Sequence, residues 1–325
     1  MFSRCMMLGL AAGAFLAPLS QPAMAVFPDR PVTLIVAWAA GGGTDSVART
    51  FAAGLEKEIG QPVNVVNRTG GGGVTGHTAI ATAKPDGYTI GIASSDFVLY
   101  KTMAMADMDA TSFDLISRVA TIPAGITVKV DGPYKTLKDV IEAIKAQPKG
   151  SLTTSGSGAG GSWHLAIGGL TKALGLPADQ VKFVPSTGGA PALNDLAAGG
   201  LSMVTASPIE AKALHDAGKV KVLTVMDTQR LASFPDVPTL KEGAGLDWEL
   251  INWFALVTPK GVPAEARAKL IEAATKAHAR ADVQQPLKDR GITPKWEKPE
   301  EFAAFAKKYT ETSSGLLKDL GLAKN

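Results

Sequence analysis

The feature that most limits how this chain can fold is a unit that occurs four times. Each unit is a strand, a loop rich in glycine, serine and threonine, and then a helix. The loops lie at residues 39–45, 70–75, 155–162 and 186–189. The first loop follows the apolar run Val32–Val36. It precedes a helix with an apolar residue at every fourth position from Val47 to Ile59. Alternating strands and helices of this kind predict parallel sheets covered by helices on both faces.

The same alternation restarts near residue 126 and predicts a second lobe. Strands are predicted at 32–36, 63–66, 88–92, 126–130, 152–154, 181–184, 201–204, 220–225 and 253–257. Thr136 begins a capping box for one helix, and Pro191 is predicted at the first position of another. The segment after residue 225 holds too few strands for a sheet of its own, so we expect it to fold back onto the first lobe. The predicted division is therefore 26–125 with 226–325, and 126–225, with crossings near residues 125 and 225.

The N-terminus predicts export. Arg4 precedes an apolar run over residues 6–19, and a small-x-small motif ends at Ala25. We expect residues 1–25 to be removed as a signal peptide and the mature protein to act in the periplasm; the alternative is an uncleaved interfacial helix. Cys5, the only cysteine, would leave with the peptide, so the mature chain would have no disulfide and no thiol nucleophile.

Charge and motifs argue against several functions. The formal charge is +3, and the charged residues alternate in sign without a basic patch, so we predict no nucleic-acid partner. A dinucleotide fingerprint fails because Gly41-x-Gly43 leads to Ser46, and no Gly-Lys-Ser/Thr triplet marks a P-loop. The four histidines lack metal-ligand spacing, and no Gly-x-Ser-x-Gly elbow is present. The sequence therefore predicts no metal, no cofactor and no catalytic residues.

The glycine-rich loops predict an anion-binding cleft. Loops at the carboxyl ends of strands lie where ligands bind open sheets, and the helix starts that follow them favour an anion. Hydroxyls of Thr44, Ser155, Ser157, Ser162 and Thr187 can complete such a site. The ligand-binding residues we predict are Trp38, Ala39, Gly42, Gly43, Thr44, Asp45, Ser94, Ser95, Ser155, Ser157, Gly158, His164, Thr187, Gly188 and Asp195.

Structural roles remain open for several of these residues. Glycine can serve simply to make the turns tight. Asp45 can be a helix N-cap, and His164 can pack in the core and hydrogen-bond there. Trp38 and Trp163 adjoin glycine loops, where they can line the cleft or fill a lobe interface.

Several motifs also carry a family resemblance. They are Phe27–Val32, Gly41–Asp45, Asn67-Arg68, Pro85–Thr89, Ser155–Gly158 with His164-Leu165, Gly189–Gly199 and Asp236–Glu242. In this order and spacing they resemble the substrate-binding proteins of tripartite tricarboxylate transporters, the Bug-type extracytoplasmic solute receptors. The resemblance implies a type II periplasmic-binding-protein fold with two doubly wound α/β lobes that close on a small organic acid. It also implies a monomer that delivers its ligand to membrane transporter subunits.

The chain departs from the family pattern beside the expected cleft. Ala37-Trp38 stands where the family usually has Pro-Phe, and Pro185–Gly189 replaces a Tyr-Lys-Gly stretch. Thr69 replaces a proline. The loss of Tyr-Lys and the gain of a tryptophan suggest a less polar or larger ligand, such as an aromatic acid. Two other functions stay open at this point: a bilobal sensor for a signalling partner, and a secreted hydrolase, for which no nucleophile and base are found.

Overall fold

The computed structural model describes residues 27–324. The predicted signal peptide at residues 1–25 and Cys5 lie outside the described residues. The strands are β1 Val32–Val36, β2 Val63–Asn67, β3 Thr89–Ser94, β4 Phe113–Pro123, β5 Gly125–Lys129, β6 Thr153–Thr154, β7 Lys182–Phe183, β8 Val220–Val225, β9 Ile251–Pro259 and β10 Thr293–Pro294. The helices are α1 Gly43–Ile59, α2 Val74–Ala81, α3 Leu137–Ala146, α4 Ser162–Ala173, α5 Gly189–Ala198, α6 Pro208–Asp216, α7 Leu240–Ala244, α8 Ala264–Ala279, α9 Ala281–Asp289 and α10 Pro299–Asp319. No helix within residues 27–324 is both long and apolar enough to cross a membrane.

The first lobe is built on a six-stranded sheet in the order β10-β4-β9-β3-β1-β2. β1 pairs in parallel with β2 and β3, as the alternation of strands and helices predicts. β9 lies between β3 and β4 and runs antiparallel to both. The prediction of a parallel sheet therefore holds for β1, β2 and β3 and is wrong for β4, β9 and β10. Strand β9 joins this sheet from a distant part of the sequence.

Strand β4 is the longest strand that the sequence pattern misses. It pairs with β9 from Phe113 to Pro123, but its register shifts between Leu115 and Ser117 and again between Arg118 and Ala120. These bulges interrupt the alternation of apolar and polar residues by which a half-buried strand is normally detected.

The C-terminal helix α10 is held to this sheet by aromatic packing around Trp253 on β9, which is 1% exposed. The Trp253 ring meets Phe97 on one side and Phe302, Phe305 and Tyr309 of α10 on the other, at centroid distances of 5.4–5.8 Å and nearly perpendicular ring planes. Edge-to-face contacts of this kind add to the large area that each ring buries.

The second lobe contains two small ladders joined by an irregular segment. β5 pairs antiparallel with β8, and β6 pairs in parallel with β7. The strand predicted at 201–204 makes only an isolated bridge between Val204 and Thr127, so that prediction is corrected. The segment still links the ladders, because Val204 N donates to Thr127 O at 2.8 Å and Met203 N donates to Thr153 O at 3.2 Å.

Helix starts in this lobe follow local chemistry with one correction. The capping box at Thr136 is confirmed, since Thr136 Oγ1 accepts from Asp139 N and Asp139 Oδ2 accepts from Thr136 N. α5 begins at Gly189, so Pro191 is its third residue and not its first. Pro208 occupies the first position of α6, a helix that the sequence analysis did not predict.

The lobes are joined where three segments hydrogen-bond to one another. Ala124, between β4 and β5, donates to Leu250 O at 2.9 Å and accepts from Met226 N at 2.8 Å, and Leu250 N donates to Met226 O. α7, which lies between Met226 and Leu250, packs against α3 and β8 of the second lobe. We therefore propose that the returning crossing lies at Leu250, in place of the one expected near residue 225.

Candidate ligand-binding cleft

A small cavity, which opens to solvent, lies between the two lobes. Both lobes contribute to its wall. Its lining residues are Trp38, Ala39, Gly42, Gly43, Thr44, Asp96, Ile122, Ser157, Ser162, Trp163, Gly188, Gly189, Pro191, Glu210, Asn252 and Phe254.

Three helices begin at this cavity: α1 from the first lobe, and α4 and α5 from the second. The residue before each helix is a glycine, Gly42, Gly161 or Gly188, so the N-cap residue itself supplies no side-chain acceptor. The first N–H groups of a helix have no partner within the helix, and the helix dipole places a partial positive charge there. The cavity therefore gathers three sites that favour a negatively charged or hydrogen-bond-accepting group.

Some of these N–H groups are already satisfied by carboxylates. Gly43 N, at the start of α1, donates to Glu210 Oε1 at 3.0 Å, and Ser162 N, at the start of α4, donates to Asp96 Oδ1 at 3.2 Å. Both contacts cross between the lobes. The backbone N–H groups of Thr44, Trp163, Gly189 and Ala190 have no acceptor among residues 27–324. Thr44, Trp163 and Gly189 line the cavity, so their N–H groups are available to a ligand.

The charged groups of the lining are two carboxylates, and none of its side chains is cationic. Burial raises the pKa of Glu210 to about 7, although hydrogen bonds from Gly43 N and Ser207 N work against this rise. Burial also raises the pKa of Asp96, against hydrogen bonds from the Ser94 hydroxyl and Ser162 N. The cavity thus combines an anion-favouring backbone with two carboxyl groups whose pKa values are raised, and Glu210 is partly protonated near neutral pH.

Seven of the predicted residues line the cavity: Trp38, Ala39, Gly42, Gly43, Thr44, Ser157 and Gly188. They come from the loops before α1, α4 and α5, as the position of loops at strand ends leads one to expect. The Trp38 indole is fixed in place because its Nε1 donates to Ser94 Oγ at 2.6 Å.

Three predicted residues of the first lobe lie behind the wall. The Ser94 hydroxyl, which accepts from Trp38 Nε1, donates to Asp96 Oδ2 at 2.6 Å. Ser95 donates to Asn252 Oδ1 at 2.7 Å. Asp45 is buried and is not the N-cap of α1, because Gly42 holds that position.

Asp45 instead fixes the loop that forms the cavity wall. Its Oδ2 accepts from Gly41 N and from Arg49 Nε, each at 3.0 Å, and its Oδ1 accepts from Asn67 Nδ2 at 2.9 Å. Burial raises the pKa of Asp45, but these hydrogen bonds outweigh it and the pKa is lowered. Asp45 therefore stays charged and positions the Gly41–Gly43 backbone.

The remaining predicted residues are not brought to the lining. The Ser155 hydroxyl donates to Val184 O at 2.6 Å. The His164 ring stacks on Phe183 at 4.3 Å, its Nδ1 accepts from Gly160 N at 3.0 Å, and burial lowers its pKa to about 4. These contacts are structural, which is the packing role left open for His164.

Gly158, Thr187 and Asp195 also lie outside the lining. A Cβ on Gly158 would lie 2.8 Å from the Cα of Gly72 in the first lobe, so the two loops touch. Thr187 is exposed, and its carbonyl accepts from Ala39 N at 3.3 Å across the lobes. Asp195 is exposed on α5, six residues beyond the helix start that faces the cavity.

Sequence reasoning missed Asp96, Ile122, Glu210, Asn252 and Phe254. Ile122 and Asn252 are paired neighbours on β4 and β9, so only the strand pairing brings them to the cavity. For Glu210 a signal was present: Ser207 and Glu210 are spaced as a capping box and flank Pro208, and Glu210 Oε2 accepts from Ser207 N. That spacing predicts the start of α6, although it does not predict which helix α6 would meet.

Comparisons with known proteins agree with this architecture. The family model described as tripartite tricarboxylate transporter family receptor matches residues 47–322. A Pseudomonas sp. relative, described as a UPF0065 protein in the tcbD-tcbE intergenic region, is 32% identical over 302 residues, which cover 92% of this chain and 89% of that protein.

Solved structures give the same result. The periplasmic binding protein BugD superposes with a TM-score of 0.83 at 30% identity, over 92% of this chain and all of that one. An R. palustris protein solved with adipate also reaches 0.83, at 27% identity, over 91% of this chain and 99% of that one. These likenesses confirm the predicted resemblance and the two-lobed, type II periplasmic-binding-protein class of fold. The chain therefore belongs to the tripartite tricarboxylate transporter receptor family of periplasmic solute-binding proteins.

Proposed function

We propose that this protein captures a small organic carboxylate in the interlobe cavity and delivers it to a tripartite tricarboxylate-type membrane transporter. The observation that carries the proposal is the meeting of three helix starts, at Gly43, Ser162 and Gly189, around one cavity formed by both lobes. The N–H groups of Thr44, Trp163 and Gly189, which have no acceptor among residues 27–324, supply donors for the oxygen atoms of such a ligand. The adipate held by the R. palustris neighbour supports a ligand of this class.

The same geometry supports a transport role without catalysis. A ligand that contacts both lobes stabilises the closed form by its differential affinity for that form. The lobes already meet through Ala39 N and Thr187 O, so the ligand needs only to add contacts to an existing closed interface. In this proposal the closed, loaded form is what the membrane partner binds, as a monomer in the periplasm after removal of residues 1–25.

The choice between aliphatic and aromatic acids rests on Trp38, Trp163 and Phe254, which give the cavity three aromatic lining residues. We propose that a flat or extended apolar part of the ligand lies against them. Affinities for citrate and for benzoate, measured side by side, decide this point. Comparable values would count against an aromatic preference.

A thermal-shift screen of the mature protein, unfolded and refolded to remove any carried ligand, tests the proposal. The panel contains aliphatic mono-, di- and tricarboxylates, aromatic carboxylates, amino acids and neutral sugars. A ligand at a hundred times its dissociation constant stabilises the folded state by about 2.7 kcal/mol. We expect shifts with carboxylates alone. A response to sugars with silence across the acids would refute the anion site and leave only the fold.

A further inference from the structure

The carboxylate of Glu210 occupies a position in the cleft where an anionic ligand would be expected. Its Oε1 accepts from Gly43 N, the first N–H of α1, at 3.0 Å. A Cβ on Gly189, the first residue of α5, would lie 2.5 Å from both of its oxygens. Two of the three helix starts that face the cavity therefore already surround a carboxylate supplied by the protein itself.

Glu210 is held in this position from its own helix as well. It is the third residue of α6, and its Oε2 accepts from Ser207 N at 3.2 Å. The backbone N–H groups of Gly189, which lies next to the carboxylate, and of Ala190 have no acceptor among residues 27–324. This end of the cleft thus offers an acceptor on Glu210 beside donors at the start of α5.

A ligand end group that matches both the Glu210 acceptor and the donors at the start of α5 has an acceptor oxygen next to a hydrogen-bond donor. It carries no negative charge. A carboxamide, a hydroxyl group and a protonated carboxyl group meet this description. A carboxylate does not, because it would face the charge of Glu210 in a partly buried site. The start of α4 also holds a carboxylate, since Ser162 N donates to Asp96 Oδ1, and it offers Trp163 N–H and the Ser157 hydroxyl as further donors.

We propose that Glu210 determines specificity by selecting ligands that place an uncharged donor-acceptor group at the starts of α1 and α5 and their carboxylate elsewhere in the cleft. The inference rests on the proposed function and names the substrate class of the same site. A dicarboxylate binds in this scheme only with a proton taken up at the Glu210 end. Because the pKa of Glu210 is raised to about 7, that proton is available below neutral pH and becomes scarce above it.

Other charged groups lie near Glu210 and must be separated from its effect. Glu210 also borders a second cavity. The charged residues around that cavity are Lys212 and Asp216 on α6 and Asp289 and Arg290 at the end of α9. Asp96 shares the ligand cavity, and Asp45 lies on α1. These groups are the same for two ligands that differ only at the Glu210 end, so the ratio of two such affinities reports on Glu210.

Calorimetric titration of adipate and of its monoamide, and of succinate and its monoamide, tests the inference at pH 6, 7 and 8. In the wild type, the monoamide binds more tightly than the diacid at pH 8. The ratio of diacid to monoamide dissociation constants rises about tenfold between pH 6 and pH 8, as protonated Glu210 is depleted. In Glu210→Gln, the ratio is lower and does not change with pH. Glutamine also serves in a capping box, so α6 keeps its start.

The control variant is Glu265→Gln, on the exposed surface of α8, where Glu265 pairs with Lys269; it should retain the wild-type ratio and its pH dependence. A ratio that is pH-independent and equal in the wild type and Glu210→Gln would overturn the inference while leaving carboxylate binding intact. An equal gain in affinity for both ligands in Glu210→Gln would also overturn it, since Glu210 would then only compete for the helix start. Failure of every acid and monoamide to bind the wild type would instead refute the proposed function itself.

Discussion

Replacement of Gly158 by alanine should weaken ligand binding by holding the lobes apart. Gly158 lies in the loop before α4, and the Cβ of an alanine there would lie 2.8 Å from Gly72 Cα and 3.2 Å from Gly72 O. Both contacts are with backbone atoms of the opposite lobe, which cannot rotate away as a side chain can. The backbone of Gly158 is not left-handed, so alanine itself fits the loop when the lobes are separated.

The cost of the clash falls on the closed form alone. Overpacking by one methyl group in a close-packed contact costs about 1–3 kcal/mol. If the ligand binds the closed form, the dissociation constant should rise about 5- to 150-fold. Calorimetric titration of the tightest carboxylate from the screen measures this change, and urea unfolding without ligand should differ from the wild type by less than about 0.5 kcal/mol.

The matched control is Gly315→Ala on the exposed face of α10, where an added Cβ meets no atom within 4 Å. Alanine there should leave affinity unchanged and stabilise the helix by up to about 1 kcal/mol. Wild-type affinity in Gly158→Ala would refute the reasoning, because closure on a ligand would then not bring Gly158 and Gly72 together.

Two further predictions concern stability. The pKa of His164 is lowered to about 4 by burial, below its unfolded value of about 6.5, so the unfolded state takes up the proton first as pH falls. The contribution of neutral, buried His164 to the free energy of unfolding is present above pH 6.5 and is lost towards pH 4. The loss between pH 7 and pH 5 is about 2 kcal/mol. His164→Asn, which retains an acceptor for Gly160 N, should reduce the pH dependence of urea unfolding by that amount; an unchanged slope would contradict the burial argument. Trp253→Ala should lower the free energy of unfolding by about 3–5 kcal/mol because it empties the aromatic cluster under α10, and a loss below 1 kcal/mol would show that the cluster does not hold α10 in place.

The sequence predicted those parts of the fold that depend on local chemistry. The strand at Val32–Val36 and the helix after Thr136 were predictable because alternation, capping and glycine loops act within a few residues. β4 was not, since its bulges break the alternation. The antiparallel course of β9 was not predictable either, because its partners β3 and β4 are more than a hundred residues away.

The site divides in the same way. The loop residues from Trp38 to Thr44 were found because a glycine loop before a helix is visible in the sequence. Glu210 was missed because its role depends on the meeting of α6 with α1, across 167 residues of sequence. His164 and Asp195 were predicted as ligand-binding residues from their motifs. In the structure the His164 ring stacks on Phe183, and Asp195 is exposed to solvent. A motif identifies a helix in these cases, but the packing of that helix decides which residues face the ligand.

A crystal structure of the mature protein with its tightest carboxylate ligand tests the central claim most directly. The account predicts a ligand between the lobes, with its oxygen atoms within about 3.2 Å of backbone N–H groups at the helix starts, among them Trp163 and Gly189. It also predicts no Lys or Arg side chain in contact with the ligand. A carboxylate held by cationic side chains, or bound outside the cavity lined by Trp38 and Glu210, would contradict it.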